Sequence, residues 1–83
     1  MSVSRLSQAF GRAVRDARLK KGFSQERLAE RAGLHPTYVG MIERGVRNAT
    51  LDVAAKLADA LETPLPKLIS LSIKPKGALP RKK

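Results

Sequence analysis

Apolar residues in this chain recur every third or fourth position in short blocks, the first three of them closed by a glycine. In the first block, roughly Ser4 to Lys21, Leu6, Phe10, Ala13, Val14 and Ala17 fall on one helical face, while Arg5, Arg12, Arg15, Arg18 and Lys20 lie mostly off it. The spacing predicts an amphipathic helix with a basic outer side. Gly22 follows Lys20 and Lys21, where a left-handed cap would end the helix and the two cations would suit its negative end. Ser24 can cap a second, shorter helix that has Glu26 in its first turn and turns Leu28 and Ala29 inward. Gly33 can end this helix in the left-handed conformation, so that Leu34 turns back toward the core.

A third helix begins almost at once. Pro36 suits its first position, His35 flanks it, and Val39 and Ile42 mark its inner face before Gly45. After a loop through Val46, Arg47, Asn48 and Ala49, Thr50 caps a fourth helix along which Leu51, Val53, Ala54, Leu57, Ala58 and Leu61 repeat. Thr63 and Pro64 read as a cap followed by proline, opening a short fifth helix through Leu65, Leu68, Ile69 and Leu71. No segment alternates apolar and polar residues long enough for a strand, and no repeat is visible. The predicted fold is all-α, a compact five-helix bundle over residues 1–73. Residues 74–83 carry too little apolar pattern to fold alone and read as a flexible basic tail.

Composition narrows the chemistry. The core must be built from Leu, Ala, Val and Ile, because Phe10, Phe23 and Tyr38 are the only aromatics in 83 residues. The absence of cysteine excludes disulfides, a thiolate nucleophile and a thiolate metal site, and fits a reducing cytoplasm. The start of the chain leads into an amphipathic pattern, and no stretch approaches the roughly 18 apolar residues of a membrane span, so neither secretion nor membrane insertion is expected. Charge says more. The net charge of +10 points to a polyanionic partner. Its distribution matters too: residues 1–50 carry ten basic against four acidic side chains, residues 51–70 two against three, and residues 71–83 five against none.

The stretch from Gly22 to Gly45 has the spacing of a helix-turn-helix, about 24–45, with a tight turn through Gly33. In that motif the first helix crosses the DNA backbone, and the second presents its N-terminal residues to base edges in a major groove about 12 Å wide. Small residues are needed where the two helices approach, and Ala29 and Gly33 are the candidates.

These residues carry a resemblance. Ser24-Gln25-Glu26, Leu28-Ala29, Ala32-Gly33-Leu34, Val39, Ile42-Glu43-Arg44-Gly45 and the run Leu57-Ala58-Asp59-Ala60-Leu61 resemble the Cro and phage-repressor-like, or Xre, family over about Leu6 to Ile69. Residues Gly33 to Asn48 look most like the controller proteins of restriction–modification systems, which are small homodimeric regulators. The resemblance implies that Gln25 contacts a DNA phosphate. It places His35, Pro36, Thr37, Tyr38 and Met41 toward the groove, sets Arg44, Arg47 and Asn48 near the phosphate backbone, and has Glu43 hold the fold. Pro36 and Met41 depart from the pattern, since relatives often carry Arg, Gln or Ser there. Bidentate readers of guanine or adenine are therefore scarce, and shape readout through arginines gains weight.

Plainer roles stand beside these. His35 is the sole histidine, which makes a metal site improbable, and it serves equally as a helix cap or a base contact. Tyr38 can pack on the surface or brush a phosphate. Leu65, Leu68, Ile69 and Leu71 exceed what one small core needs, so they either form a dimer interface or simply close the monomer. A dimer would set two recognition helices about 34 Å apart on a roughly palindromic site. The expected function is a sequence-specific, double-stranded-DNA-binding transcriptional regulator, with no cofactor and no small-molecule ligand. The alternative is an antitoxin-type protein-interaction module with secondary DNA binding. An enzyme is not expected, for no catalytic constellation stands out. The tail would either reach along the DNA as a basic arm or only raise non-specific affinity.

Overall fold

Helix starts in this chain are set by single side chains. Ser4, Ser24 and Thr50 each accept a hydrogen bond from the backbone N–H three residues on, that of Ser7, Arg27 and Val53, at 3.0, 3.0 and 3.1 Å. The computed structural model describes residues 3–73 and forms α1 (Arg5–Lys21), α2 (Gln25–Ala32), α3 (Pro36–Glu43), α4 (Leu51–Leu61) and α5 (Leu65–Ile73). The tail expected over residues 74–83 lies outside the described residues. Gly22 and Gly33 end α1 and α2 in the left-handed conformation, at φ 76° and 71°. Among the described residues there is no strand, and no helix is long and apolar enough to cross a membrane.

The helices close on a single core. Phe10 and Val14 of α1, Leu28 of α2, Val39 and Ile42 of α3, Leu57 and Leu61 of α4 and Leu68 of α5 are all buried there. Helix α1 is the spine, packing against α3, α4 and α5, while α2 packs on α3 and α4. Helix α1 lies backbone to backbone against α3 at Gly11: a Cβ built there would run into the backbone carbonyl of Ile42. Ala29 is fully buried as its small size requires, whereas the space beside Gly33 is open. Gly33 is thus needed for its dihedral angle and not for close helix approach, contrary to the packing role expected of it.

Four further expectations are corrected. Leu51, expected inward, is 80% exposed, because the first residue of α4 lies beyond the edge of the core. Leu6, in the first turn of α1, is 48% exposed for the same reason. Arg18, expected on the outer basic side, is only 8% exposed. Thr63 does not cap α5. Glu62 ends α4 in the left-handed conformation at φ 56°, which turns the Thr63 hydroxyl back to donate to the Leu61 carbonyl at 3.2 Å.

Glu62 also gathers three helix ends, accepting from Lys21 at 2.7 Å and lying 3.7 Å from Arg31. The Lys21 hydrogen bond and charge, with Arg31 adding to them, hold its carboxyl below the ordinary value.

Because the α1–α3 contact leaves no room for a side chain, Gly11→Ala forces two backbones apart. Urea unfolding is expected to show a loss of about 1–3 kcal/mol, with the slope unchanged.

Candidate nucleic-acid interface

The α2–turn–α3 unit is held from beneath by a buried ion pair. Arg18 of α1 donates to both Glu43 carboxylate oxygens, Nε to Oε2 at 2.7 Å and Nη2 to Oε1 at 3.0 Å. Its Nη1 donates to the Phe23 carbonyl at 2.8 Å, so one guanidinium joins α1, the α1–α2 turn and the end of α3. Arg18 follows Phe10 and Val14 at four-residue steps, and that spacing, read without regard to charge, places it on the inner stripe.

Gln25 completes the network, donating from Nε2 to Glu43 Oε1 at 3.0 Å. A carboxylate only accepts, so the amide nitrogen must face it. The second N–H of that amide remains available. A Cβ at the buried Gly40 would lie 3.4 Å from Gln25 Oε1 and 3.1 Å from Arg44 Nη1. The Gln25 amide of α2 and the Arg44 guanidinium at the end of α3 therefore converge over bare α3 backbone. Sequence reasoning missed Gly40, since a lone glycine inside a helix shows no partner until the other two side chains are in place.

The expected groove-facing residues cluster at the start of α3. His35 is its N-cap and is exposed: Nδ1 accepts from the Thr37 N–H at 3.1 Å. With Nδ1 used as an acceptor, a neutral imidazole carries its proton on Nε2, which serves as an outward donor. Thr37 is exposed, while Pro36, Tyr38 and Met41 are half-buried. Tyr38 packs on the core and lies beneath the guanidinium of Arg47, 5.3 Å from its ring centroid. Arg47 is thereby placed beside α3 by the loop that follows it. Asn48 Oδ1 accepts from the Ser4 N–H at 3.3 Å, which ties the same loop to the start of α1. Among the described residues neither Arg44 nor Arg47 has an acidic partner.

The four residues considered for self-association do not form one exposed surface. Leu68 is fully buried and serves the monomer core, which removes it from any interface surface. Leu65 and Ile69 are half-buried at the core's edge. Leu71 is 53% exposed and lines a groove between α1 and α5. Ile69 instead meets Leu6 and Leu51 around an apolar hollow of about 90 Å³, a grouping that sequence spacing could not show because it draws on three helices.

Breaking the buried pair strands a charge. Glu43→Ala is expected to lower stability by about 3–5 kcal/mol in denaturant unfolding, and the double variant Arg18→Met/Glu43→Leu to recover most of that loss.

A helix-turn-helix family model matches residues 14–68. Control protein C.SmaI of Serratia marcescens is 51% identical over 57 residues, covering 69% of this chain and 68% of that protein. Control protein C.BamHI of Bacillus amyloliquefaciens is 51% identical over 53 residues, covering 63% of this chain and 65% of that protein. The fold superposes on the restriction-modification controller protein C.AhdI from Aeromonas hydrophila with a TM-score of 0.72 and 45% identity, covering 75% of this chain and 94% of that one.

Proposed function

This chain belongs to the helix-turn-helix family, and on that premise we propose that it is a sequence-specific, double-stranded-DNA-binding transcriptional regulator of the restriction–modification controller type. The observation that carries the reading is that the Gln25 amide, anchored on Glu43, and the Arg44 guanidinium both lie beside the side-chain-free Gly40 of α3. One N–H from the amide and the donors of the guanidinium suit a single phosphate, and the N-terminus of α2 adds backbone donors to the same anion. With that phosphate held, the first turn of α3 enters the major groove. Thr37 and the Nε2–H of His35 are its polar readers, Pro36 and Met41 offer apolar contact to thymine methyl groups, and Tyr38 with the stacked Arg47 reads the flank. Asn48 extends the backbone contact through its amide nitrogen. A role on operator DNA places the protein in the cytoplasm, at the nucleoid.

The protein acts as a homodimer on a roughly palindromic operator. The surface we assign to the second copy is the apolar edge formed by Leu51 with Leu6 and Ile69, not the fully buried Leu68. An 80% exposed leucine at the start of α4 stands next to the loop carrying Arg47 and Asn48, so pairing there brings two readers onto one face of the duplex.

Selection from a random duplex pool, followed by titration at two salt concentrations, tests this reading. The expected result is a two-fold-symmetric consensus bound by two chains, with affinity falling steeply as salt rises. Leu51→Glu should leave the fold intact, yield monomers at roughly micromolar concentration, and weaken operator binding at least about tenfold. Equal binding to every duplex would overturn the assignment.

A further inference from the structure

Helix α5 leaves a long groove against α1, about 1730 Å³ in volume, whose lining includes none of the residues assigned to DNA. Its apolar strip includes Leu71 and Ile73, which are 53% and 61% exposed. Along one rim Arg5, Arg12 and Lys20 succeed one another two helical turns apart on α1, and Lys67 of α5 lines the other side. Among the described residues none of these four cations is in an ion pair, and Asp16 is the one acidic residue in the lining. A lysine- and arginine-rimmed groove with an open leucine and isoleucine strip is not required by the fold. It differs from the DNA face, where the cations flank polar readers.

We infer that this groove docks an acidic amphipathic helix of another protein, its apolar stripe on Leu71 and Ile73 and its carboxylates on the basic rims, in the manner of a helix laid into a groove. Charge complementarity decides the occupant. The end of this chain carries Lys74, Lys76, Arg81, Lys82 and Lys83 and no acid, so it would be repelled. A second copy related by a two-fold axis would set each basic rim against its own twin. A phosphate backbone would match the rims and leave the apolar strip unused. Because the lining excludes Gln25, Thr37, Tyr38 and Arg44, the docked helix and operator DNA are bound together, giving a DNA-bound regulator a handle for a protein partner.

The test uses the full chain and a defined probe, a capped peptide of about 16 residues with leucines at helical three- and four-residue spacing and glutamates elsewhere. Fluorescence anisotropy reads affinity, and amide chemical-shift changes report the site. The expected shifts fall on α1 and α5, with the peptide still bound when a duplex carrying the selected operator is present. Arg12→Glu/Lys67→Glu should weaken peptide binding at least about tenfold, and Leu71→Ser should weaken it while leaving operator affinity unchanged. Circular dichroism of each variant checks that the fold is retained. Unchanged affinity in both variants, equal binding of a scrambled Leu/Glu peptide, shifts centred on α2 and α3, or displacement of the peptide by DNA would each overturn the proposal, the last by showing that the groove is a nucleic-acid surface.

Discussion

The buried pair between Arg18 and Glu43 is the constraint on which the interface depends. Burying two charges is costly, and their mutual attraction offsets that cost only when the remaining donors and acceptors are satisfied. Here they are satisfied by groups that must be fixed for another reason. The Phe23 carbonyl fixes the entry to α2, and Gln25 fixes the amide that faces outward. The same carboxylate comes from the last residue of α3, so the three helices nearest the reader are indexed to one another through one polar cluster. Gly11 serves the same end without charge, letting α1 lie against the Ile42 carbonyl one residue from Glu43. An apolar replacement of the pair would hold the helices together but would not orient Gln25.

From that cluster outward, affinity and specificity separate. Gln25, Arg44 and Arg47 are positioned by protein contacts that exist before any ligand arrives: a hydrogen bond to Glu43, a place over Gly40 and a stack on Tyr38. Preorganised donors of this kind fix the register of a duplex and carry no sequence information of their own. In the proposed reading, the residues offered to the bases carry fewer polar groups than those offered to the phosphates. Proline at the first position of α3 gives a rigid start, and the cap made by His35 uses Nδ1 of its ring and leaves the other nitrogen free. On the proposed function, discrimination rests on a threonine, an imidazole N–H and methyl contacts, supplemented by groove shape sensed through arginine.

How much of this was legible in the chain follows from where each determinant acts. Caps at Ser24 and Thr50 and the turn at Gly33 are decided within four residues of themselves, and they stand where local rules put them. Determinants that act between helices were not legible. Arg18 looks like a surface cation until its four-residue step from Val14 is weighed against its charge, and only Glu43 makes its burial tolerable. Leu51 has the right period for the core but the wrong height, sitting at the first residue of its helix beyond the edge of the core. Thr63 has the side chain of a cap, yet the left-handed Glu62 before it turns it the wrong way. Gln25 and Arg44 could be singled out by resemblance as candidates; their convergence over Gly40 needed the bundle.

One comparison separates a clamp from a reader, and with it the account stands or falls. Gln25→Ala and Thr37→Ala proteins, both checked for folding, are titrated against the selected operator and a scrambled duplex at one salt concentration. Gln25→Ala is expected to weaken both duplexes to the same extent, about tenfold, while Thr37→Ala weakens the operator alone and leaves scrambled DNA unaffected. If Thr37→Ala changed both duplexes equally, or neither, α3 would not be the element that reads sequence.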